Sequence, residues 1–316
     1  MFYPHPIISR VALRLGSLLL LGVLACSRAD TRATAQTAAI TQAAVDDFGA
    51  PLPADAAFAA RVVSLNPTAT EIIFALGAED KLVGRSRWDE FPAEVSKIAS
   101  LGDGIRPNVE AIVAARPTLV LLYASAENRS AAESLTRAGI RTVALKVDRI
   151  ADFFALTARL GVMLGAEQQA KLVSDSVQRT LDAVRRITAT STPRSVVWPL
   201  WQQPVMAVGG GSYLDELIEI AGGRNIFHEL PAPSPPVSIE EIVRRNPSVI
   251  VASVTTRDAL LTQPQWQAVS AVRTRQFIVH DPAKTGRPSV VLGMAAMSLA
   301  RALHPDLAAQ LPPMAK

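Results

Sequence analysis

Short apolar runs alternate with amphipathic stretches along most of the chain. The pattern is clearest in residues 61–84, RVVSLNPTATEIIFALGAEDKLVG. The run at 62–65 is short and rich in β-branched residues, which predicts a buried strand. Pro67 ends this strand because it has no backbone N–H, and Thr68 or Thr70 can cap the helix that follows. The loop between them lies at the carboxyl end of a strand, where open α/β sheets bind ligands.

Two features of this pattern recur later in the chain, in the same order. Glu71 and Glu216 each stand six positions before the glycine that ends an apolar helix. Residues 108–120 match residues 238–250 as N-cap, apolar residue, glutamate, amphipathic helix, proline and buried strand. The repetition predicts two related lobes, and the alternative is that both pairs are ordinary helix starts of an α/β protein.

Strands that alternate with helices predict a largely parallel sheet in each lobe. We place the N-terminal lobe at residues 61–148 and the C-terminal lobe at residues 191–316. Residues 149–190 between them have helical periodicity and no strand signal. Gly161 and Gly165 weaken this helix locally, so one long helix and a broken pair of helices both fit the pattern.

The first residues read as a targeting segment. Residues 1–25 have a basic start and an apolar stretch too short to span a bilayer as a stable helix, which is typical of a secretory signal peptide. The segment ends LGVLAC at Cys26, which resembles a bacterial lipobox. We therefore expect lipidation of Cys26 and a flexible tether over residues 26–60; the alternative is an ordinary signal peptide with an incidental cysteine.

Composition excludes several classes of function. Of the 316 residues, 49% are hydrophobic, so the chain can bury a large core or two smaller ones. The net charge of +4 is spread along the chain with no dense basic run, so nucleic acid is not an expected partner. A single cysteine excludes an internal disulfide framework and a thiolate metal cluster.

The sequence offers little for catalysis. His228, His280 and His304 share no metal-ligand spacing, and no serine or cysteine lies in a nucleophile-elbow sequence. The glycines at 209–211 lack the lysine of a phosphate-binding loop, so they indicate a tight turn. We expect a binding protein rather than an enzyme, with no cofactor and no resident metal.

Aromatic residues are scarce, and four of them stand out by position. Trp88, Tyr123, Trp198 and Trp201 lie at or just beyond predicted strand ends, on the rim where the lobes should face each other. Large aromatic faces there would stack on a large, partly apolar ligand, whereas ordinary packing under loops is the alternative.

Two matched glutamates suggest a partner. Glu110 and Glu240 each occupy the first turn of a helix in the repeat, where a carboxylate stabilises the helix dipole by about 0.3–1 kcal/mol. The pair would also suit a symmetric partner that presents two arginine patches.

Eight short motifs between residue 61 and about residue 304 together match one family. They are VSLNP at 63–67, TE at 70–71, ALG at 75–77, NVEAI at 108–112, RP at 116–117, LDEL at 214–217, AGGRN at 221–225 and VSIE at 237–240. Through these motifs the chain resembles the periplasmic substrate-binding proteins of ABC importers for vitamin B12, ferric siderophores and haem. Within that family it looks most like the cobalamin-binding members.

The resemblance implies two Rossmann-like lobes with mainly parallel sheets, joined by one long helix, with ligand held between them and little closure. It implies that Glu110 and Glu240 dock on arginines of two permease subunits. It also places Trp88 and Tyr123 at stacking positions and Asp281 near the ligand. Gly104 and Ser234 stand where the cobalamin binder carries tryptophans.

We therefore expect a monomeric, lipid-anchored protein on the periplasmic side of the cell envelope that captures a corrinoid and delivers it to an ABC permease. The expected ligand-binding residues are Asn66, Thr68, Trp88, Tyr123, Ser125, Trp198, Trp201, Asp281 and Arg287.

Three alternatives to this function stay open. The first is uptake of a ferric siderophore or haem, with Tyr123 and His280 as candidate axial ligands of haem iron. The others are an envelope enzyme and a non-transport sensor or interaction lipoprotein. An anionic ligand would be favoured by the basic residues expected near the cleft, Arg85, Arg87, Arg106 and Arg287.

Overall fold

The computed structural model describes residues 45–52 and 59–313. The predicted signal peptide, the lipidation site at Cys26 and the first part of the predicted tether lie outside these residues. Within the described residues, none of the helices has the length and apolar character needed to cross a membrane.

The N-terminal lobe is built on a sheet of four parallel strands in the order β2-β1-β3-β4. Its strands are β1 (Val62–Ser64), β2 (Leu82–Arg85), β3 (Leu119–Tyr123) and β4 (Arg141–Leu145). Its helices are α1 (Pro67–Ala75), α2 (Val109–Ala114) and α3 (Ala126–Arg137), with short 3-10 turns at Glu79–Lys81 and Ala93–Lys97.

A pair of helices follows this lobe, α4 (Ile150–Leu164) and α5 (Glu167–Thr188). The break falls at Gly165, which adopts the left-handed conformation with φ of +70°. The prediction of one long joining helix is therefore wrong, and the broken pair is the correct alternative. Helix α4 packs on α1, and α5 packs on α4.

The C-terminal lobe repeats the architecture of the first. Its strands are β5 (Arg194–Val197), β6 (Pro199–Gln202), β7 (Val205–Ala207), β8 (Gly223–Asn225), β9 (Val249–Ala252) and β10 (Phe277–Val279). Its helices are α6 (Tyr213–Ile220), α7 (Ile239–Arg245), α8 (Val254–Thr262), α9 (Ser270–Arg273), α10 (Pro282–Thr285) and α11 (Leu292–Leu303), with 3-10 turns at Pro264–Ala268 and Pro305–Leu307.

The strand order shows that the lobes are related. The second sheet runs β8-β5-β9-β10, all parallel, so in each lobe the second strand lies outside the first and the third and fourth follow on its other side. The two-lobe prediction from the repeated segments is confirmed.

One apolar core connects the lobes through the helix pair. It includes Ile72 of α1, Phe153 of α4, Leu181 of α5 and Leu217 of α6, each at most 1% exposed. Helix α5 also packs along α11 of the C-terminal lobe. Because the lobes share this core, the joining segment is a packed element and not a free hinge.

Residues 45–52 belong to the folded body and not to the tether. The Asp46 carboxylate accepts the N–H of Ala144 (2.8 Å), and Asp47 accepts that of Lys146 (2.6 Å), along strand β4. The guanidinium of Arg129 lies 4.4 Å above the ring of Phe48. The predicted tether, residues 26–60, therefore extends too far toward the C-terminus, because it includes residues 45–52 of the folded body.

Two local predictions are also corrected. Residues 199–202 form strand β6 of an antiparallel hairpin with β7, where a loop was predicted. The N-cap of α1 is Asn66, which accepts the N–H of Ala69, and not Thr68 or Thr70. Pro67 then occupies the first helical turn, where its fixed φ and missing donor are tolerated.

Candidate ligand-binding cleft

A cleft of about 740 Å³ lies between the two lobes. It is lined at the carboxyl ends of the parallel strands, where loops leave both sheets. The residues that line it just after β1, at the end of β3, and just after β5, β9 and β10 are Leu65, Asn66, Tyr123, Trp198, Ser253 and His280.

Six of the nine predicted ligand-binding residues line this cleft. They are Asn66, Thr68, Trp88, Tyr123, Trp198 and Arg287. Ser125, Trp201 and Asp281 are not among the lining residues. Ser125 sits at the start of α3, and Asp281 lies exposed between two lining residues, His280 and Pro282.

The two exposed tryptophans differ in position. Trp88 is 50% exposed and lines the cleft, with the Arg87 guanidinium 4.7 Å from its ring and its indole N–H donating to Asp103 (3.3 Å). Trp201 is 62% exposed on strand β6, outside the cleft lining, and its indole N–H donates to the carbonyl of Gln203 (3.0 Å). Substitution of each tryptophan in turn therefore compares an aromatic side chain in the cleft with one on the surface outside it.

Trp198 lies behind the cleft wall. It is only 2% exposed, and its ring packs 4.7 Å from the ring of His280. His280 is half-buried, and its Nδ1 lies 2.7 Å from the hydroxyl oxygen of Thr285. Burial lowers the pKa of His280. Sequence analysis expected Trp198 to present its face to the ligand, but His280 covers part of that position.

Two tyrosines in the cleft are fixed by hydrogen bonds. The Tyr123 hydroxyl donates to Asp148 (2.7 Å), and burial together with this carboxylate raises the pKa of Tyr123. The Tyr213 hydroxyl donates to the carbonyl of Thr285 (2.5 Å), and burial raises its pKa also. Both phenols therefore stay protonated at neutral pH. Sequence reasoning missed Tyr213, because it reads as an ordinary helix residue.

An ion pair crosses between the lobes at the cleft. Glu71 of α1 accepts from the Arg287 guanidinium, and the two side chains are 2% and 21% exposed. Burial raises the pKa of Glu71, and Arg287 opposes part of this rise. Burial also raises the pKa of nearby Asp89, whose carboxylate accepts the N–H of Ser86 (2.7 Å).

The matched glutamate of the repeat also binds an arginine outside its own helix. Glu216 of α6 accepts from Arg149 at 2.6 Å and from the backbone N–H of Ile150 at 2.7 Å. Glu71 and Glu216, which the repeat aligned without indicating a role, thus each bind an arginine beyond their own helix. The first pair joins the two lobes, and the second joins the C-terminal lobe to the start of α4.

The positive charge expected near the cleft is mostly elsewhere. Of Arg85, Arg87, Arg106 and Arg287, only Arg287 lines the cleft, and it already pairs with Glu71. Arg87 pairs with Asp103 at 2.6 Å. The cleft therefore has less free positive charge than the sequence suggested.

The two predicted docking glutamates are both exposed. Glu110 and Glu240 lie in the first turns of α2 and α7, which are capped in the same way by Asn108 and Ser238. Hydrogen bonding to its own backbone N–H, helped by Ser238, lowers the pKa of Glu240. Matched placement in the two lobes is what a two-fold docking contact needs.

One cluster away from the cleft brings together possible metal ligands. His228 Nδ1 lies 2.8 Å from Asp215 and 3.2 Å from Glu219, although the sequence showed no such spacing. Asp215 raises the pKa of His228 and also accepts from Asn225 (2.7 Å). The arrangement is that of a hydrogen-bonded ion pair.

The glycine cluster at 209–211 is a close-packed turn. A Cβ on Gly210 would lie 2.0 Å from the carbonyl oxygen of His228, and one on Gly211 would lie 2.1 Å from that of Pro231. The glycines therefore let residues 228–233 pack directly against this turn, as the tight-turn interpretation requires.

The sequence pattern of the family described as periplasmic binding protein matches residues 62–283. A vitamin B12-binding protein of Yersinia pestis is 30% identical over 228 residues, which cover 72% of this chain and 78% of that protein.

Two solved structures are similar in fold. The periplasmic vitamin B12 binding protein BtuF of Vibrio cholerae has a TM-score of 0.68 and 23% identity, with 78% of this chain and 97% of that chain covered. The periplasmic heme-binding protein RhuT of Roseiflexus sp. RS-1, in its apo form, has a TM-score of 0.70 and 24% identity, with 78% and 98% covered.

Proposed function

We propose that this chain, which belongs to the periplasmic binding protein family, captures a corrinoid in the cleft between its lobes and delivers it to an ABC permease. The cleft itself carries the proposal. Both lobes line it, and aromatic and apolar side chains dominate over free charges. A corrinoid has broad apolar faces with polar edges, which such a wall suits.

Two observations argue against a tyrosine-ligated haem and against an anionic siderophore as the ligand. Tyr123 would ligate haem iron as a phenolate, but its hydroxyl donates to Asp148, which disfavours that form. An anionic siderophore would need free cations, and the one arginine of the predicted set at the cleft is paired with Glu71. The vitamin B12-binding relatives agree with this choice.

We further propose the cellular setting. Lipid attached to Cys26 would hold the protein on the periplasmic side of a membrane, and the protein would work as a monomer. Glu110 and Glu240 would dock on arginines of the two permease subunits. Their exposure and matched positions in α2 and α7 support this arrangement.

A titration tests the ligand. The purified chain, expressed from Ser27 onward, is titrated with cyanocobalamin, haemin and a ferric hydroxamate siderophore while tryptophan fluorescence is followed. We expect saturable quenching by cyanocobalamin. Trp88→Ala should weaken binding about tenfold, since loss of one aromatic contact is worth ~1.4 kcal/mol.

Trp201→Ala is the matched control, because that tryptophan is also largely exposed but lies outside the cleft lining. It should leave the dissociation constant within about twofold. A response to haemin or the siderophore alone would overturn the corrinoid proposal and leave the family assignment intact. No response to any of the three would favour the sensor alternative.

A further inference from the structure

The side chain of His280 lies in the cleft wall, and its ring is held by a neighbouring aromatic side chain. It follows strand β10, lines the cleft and is half-buried. Trp198 packs on its ring at 4.7 Å with 59° between the planes, so the imidazole is held in a defined orientation. A ring fixed in this way is suited to a directional contact.

The hydrogen bonds around His280 determine which nitrogen carries the proton. Nδ1 lies 2.7 Å from the hydroxyl oxygen of Thr285, and that hydroxyl donates to the carbonyl oxygen of Asp281 (3.1 Å). A hydroxyl has only one proton to donate, so the oxygen of Thr285 accepts from Nδ1. We assign the proton to Nδ1 from this network, which leaves the lone pair on Nε2.

This arrangement is the one that orients a histidine for metal binding. A ligating histidine donates its other ring N–H to an oxygen, which fixes the tautomer and raises the basicity of the free nitrogen. Thr285 provides that oxygen for His280, and Thr285 itself lines the cleft.

We propose that Nε2 of His280 is an axial ligand to the cobalt of the bound corrinoid. The inference rests on the proposed function and concerns those corrinoids whose axial water can exchange. Nε2 donates its lone pair to Co(III) and the water bound there leaves. Nδ1 keeps its proton, and no electron is transferred.

The test compares two forms of one ligand. Diaquocobinamide carries water at both axial positions, whereas cyanide blocks both in dicyanocobinamide. Visible absorption reports coordination to cobalt, and tryptophan fluorescence reports binding independently. We expect the chain to shift the absorption bands of the diaquo form, and His280→Gln to abolish the shift and weaken binding about tenfold or more. For the dicyano form, neither protein should shift the absorption bands, and His280→Gln should weaken binding much less than it does for the diaquo form.

Thr285 supplies a second, milder pair of variants. Thr285→Ser keeps the hydroxyl and should keep the shift, whereas Thr285→Val removes the acceptor for Nδ1 and should weaken it. Circular dichroism checks that each variant is folded, because the Thr285 backbone carbonyl also holds Tyr213.

The outcomes separate this inference from the proposed function. If both corrinoids bind and the spectra of the wild-type chain and His280→Gln agree, the cobalt contact is wrong and the corrinoid function stands. If no corrinoid binds, both fail. If only haemin shows a shift that His280→Gln removes, the axial role belongs to iron and the cobalt proposal is overturned.

Discussion

Two buried acidic side chains lie near Arg287, an arginine that lines the cleft. Glu71 and Asp89 are 3% and 2% exposed, and burial raises the pKa of both. Arg287 provides one positive charge near two carboxyl groups. The carboxyl groups of Glu71 and Asp89 therefore bind protons at a higher pH in the folded protein than in the unfolded chain.

A pH dependence of stability follows from the raised pKa values. As the pH falls from 7 toward the ordinary value of an acid, the folded state takes up protons before the unfolded state does, so these groups increase the free energy of unfolding. Urea unfolding at pH 7 and at pH 5 measures this increase in the free energy of unfolding. The increase should be smaller for Asp89→Asn than for the wild-type chain. Parallel curves for the wild-type chain and Asp89→Asn would contradict the prediction, and Glu79→Gln at the exposed surface is the control.

Single residues at the cleft were only partly predictable from the sequence. The scarcity of aromatic residues and the positions of these two at strand ends correctly predicted that Trp88 and Tyr123 line the cleft. The same reasoning could not distinguish Trp198, which packs behind His280, from Trp201, which points away on a hairpin. Which side of a strand end faces the cleft depends on the neighbouring lobe, and local pattern does not contain that information.

At the scale of elements, the helix break at Gly165 is the main departure from the predicted fold. Helical periodicity continues across the break because both α4 and α5 are amphipathic, so the pattern alone left two alternatives. The residue adopts φ of +70°, where glycine has no steric cost. From the sequence alone, Gly165 could either end a helix or lie within one continuous helix.

Substitution of Gly165 should show that its backbone conformation sets the break. Gly165→Ala places a Cβ in the left-handed region and should lower the free energy of unfolding by about 1 kcal/mol. Gly165→Asn should cost less, since asparagine tolerates this conformation. Equal losses for both variants in urea unfolding would argue against the conformational explanation.

At the scale of the whole molecule, the sequence repeat predicted more than any single motif did. Two matched segments, 108–120 and 238–250, indicated related lobes, and both lobes show the same parallel strand order. The repeat also aligned Glu71 with Glu216, yet their arginine partners come from segments outside it. Pairing across lobes is a tertiary property, so the pattern could not reveal it.

The docking proposal makes a prediction for transport. Glu110→Ala/Glu240→Ala should abolish ligand uptake in cells while the purified protein binds ligand as before, because both residues are exposed on helices outside the cleft lining. Glu79→Ala/Glu133→Ala, which removes two other exposed glutamates, should leave uptake normal. Unchanged uptake in the first double variant would reject the docking role.

The two ion pairs limit how easily the lobes can separate to release a bound ligand. Glu71 with Arg287 joins the two lobes, and Glu216 with Arg149 joins the C-terminal lobe to the start of α4, over a shared core. Of the two pairs, Glu71 with Arg287 is the more buried, so moving the lobes apart would leave the Glu71 carboxylate without its partner. If the protein delivers its ligand to a permease, we therefore expect any separation of the lobes to depend on contact with the permease.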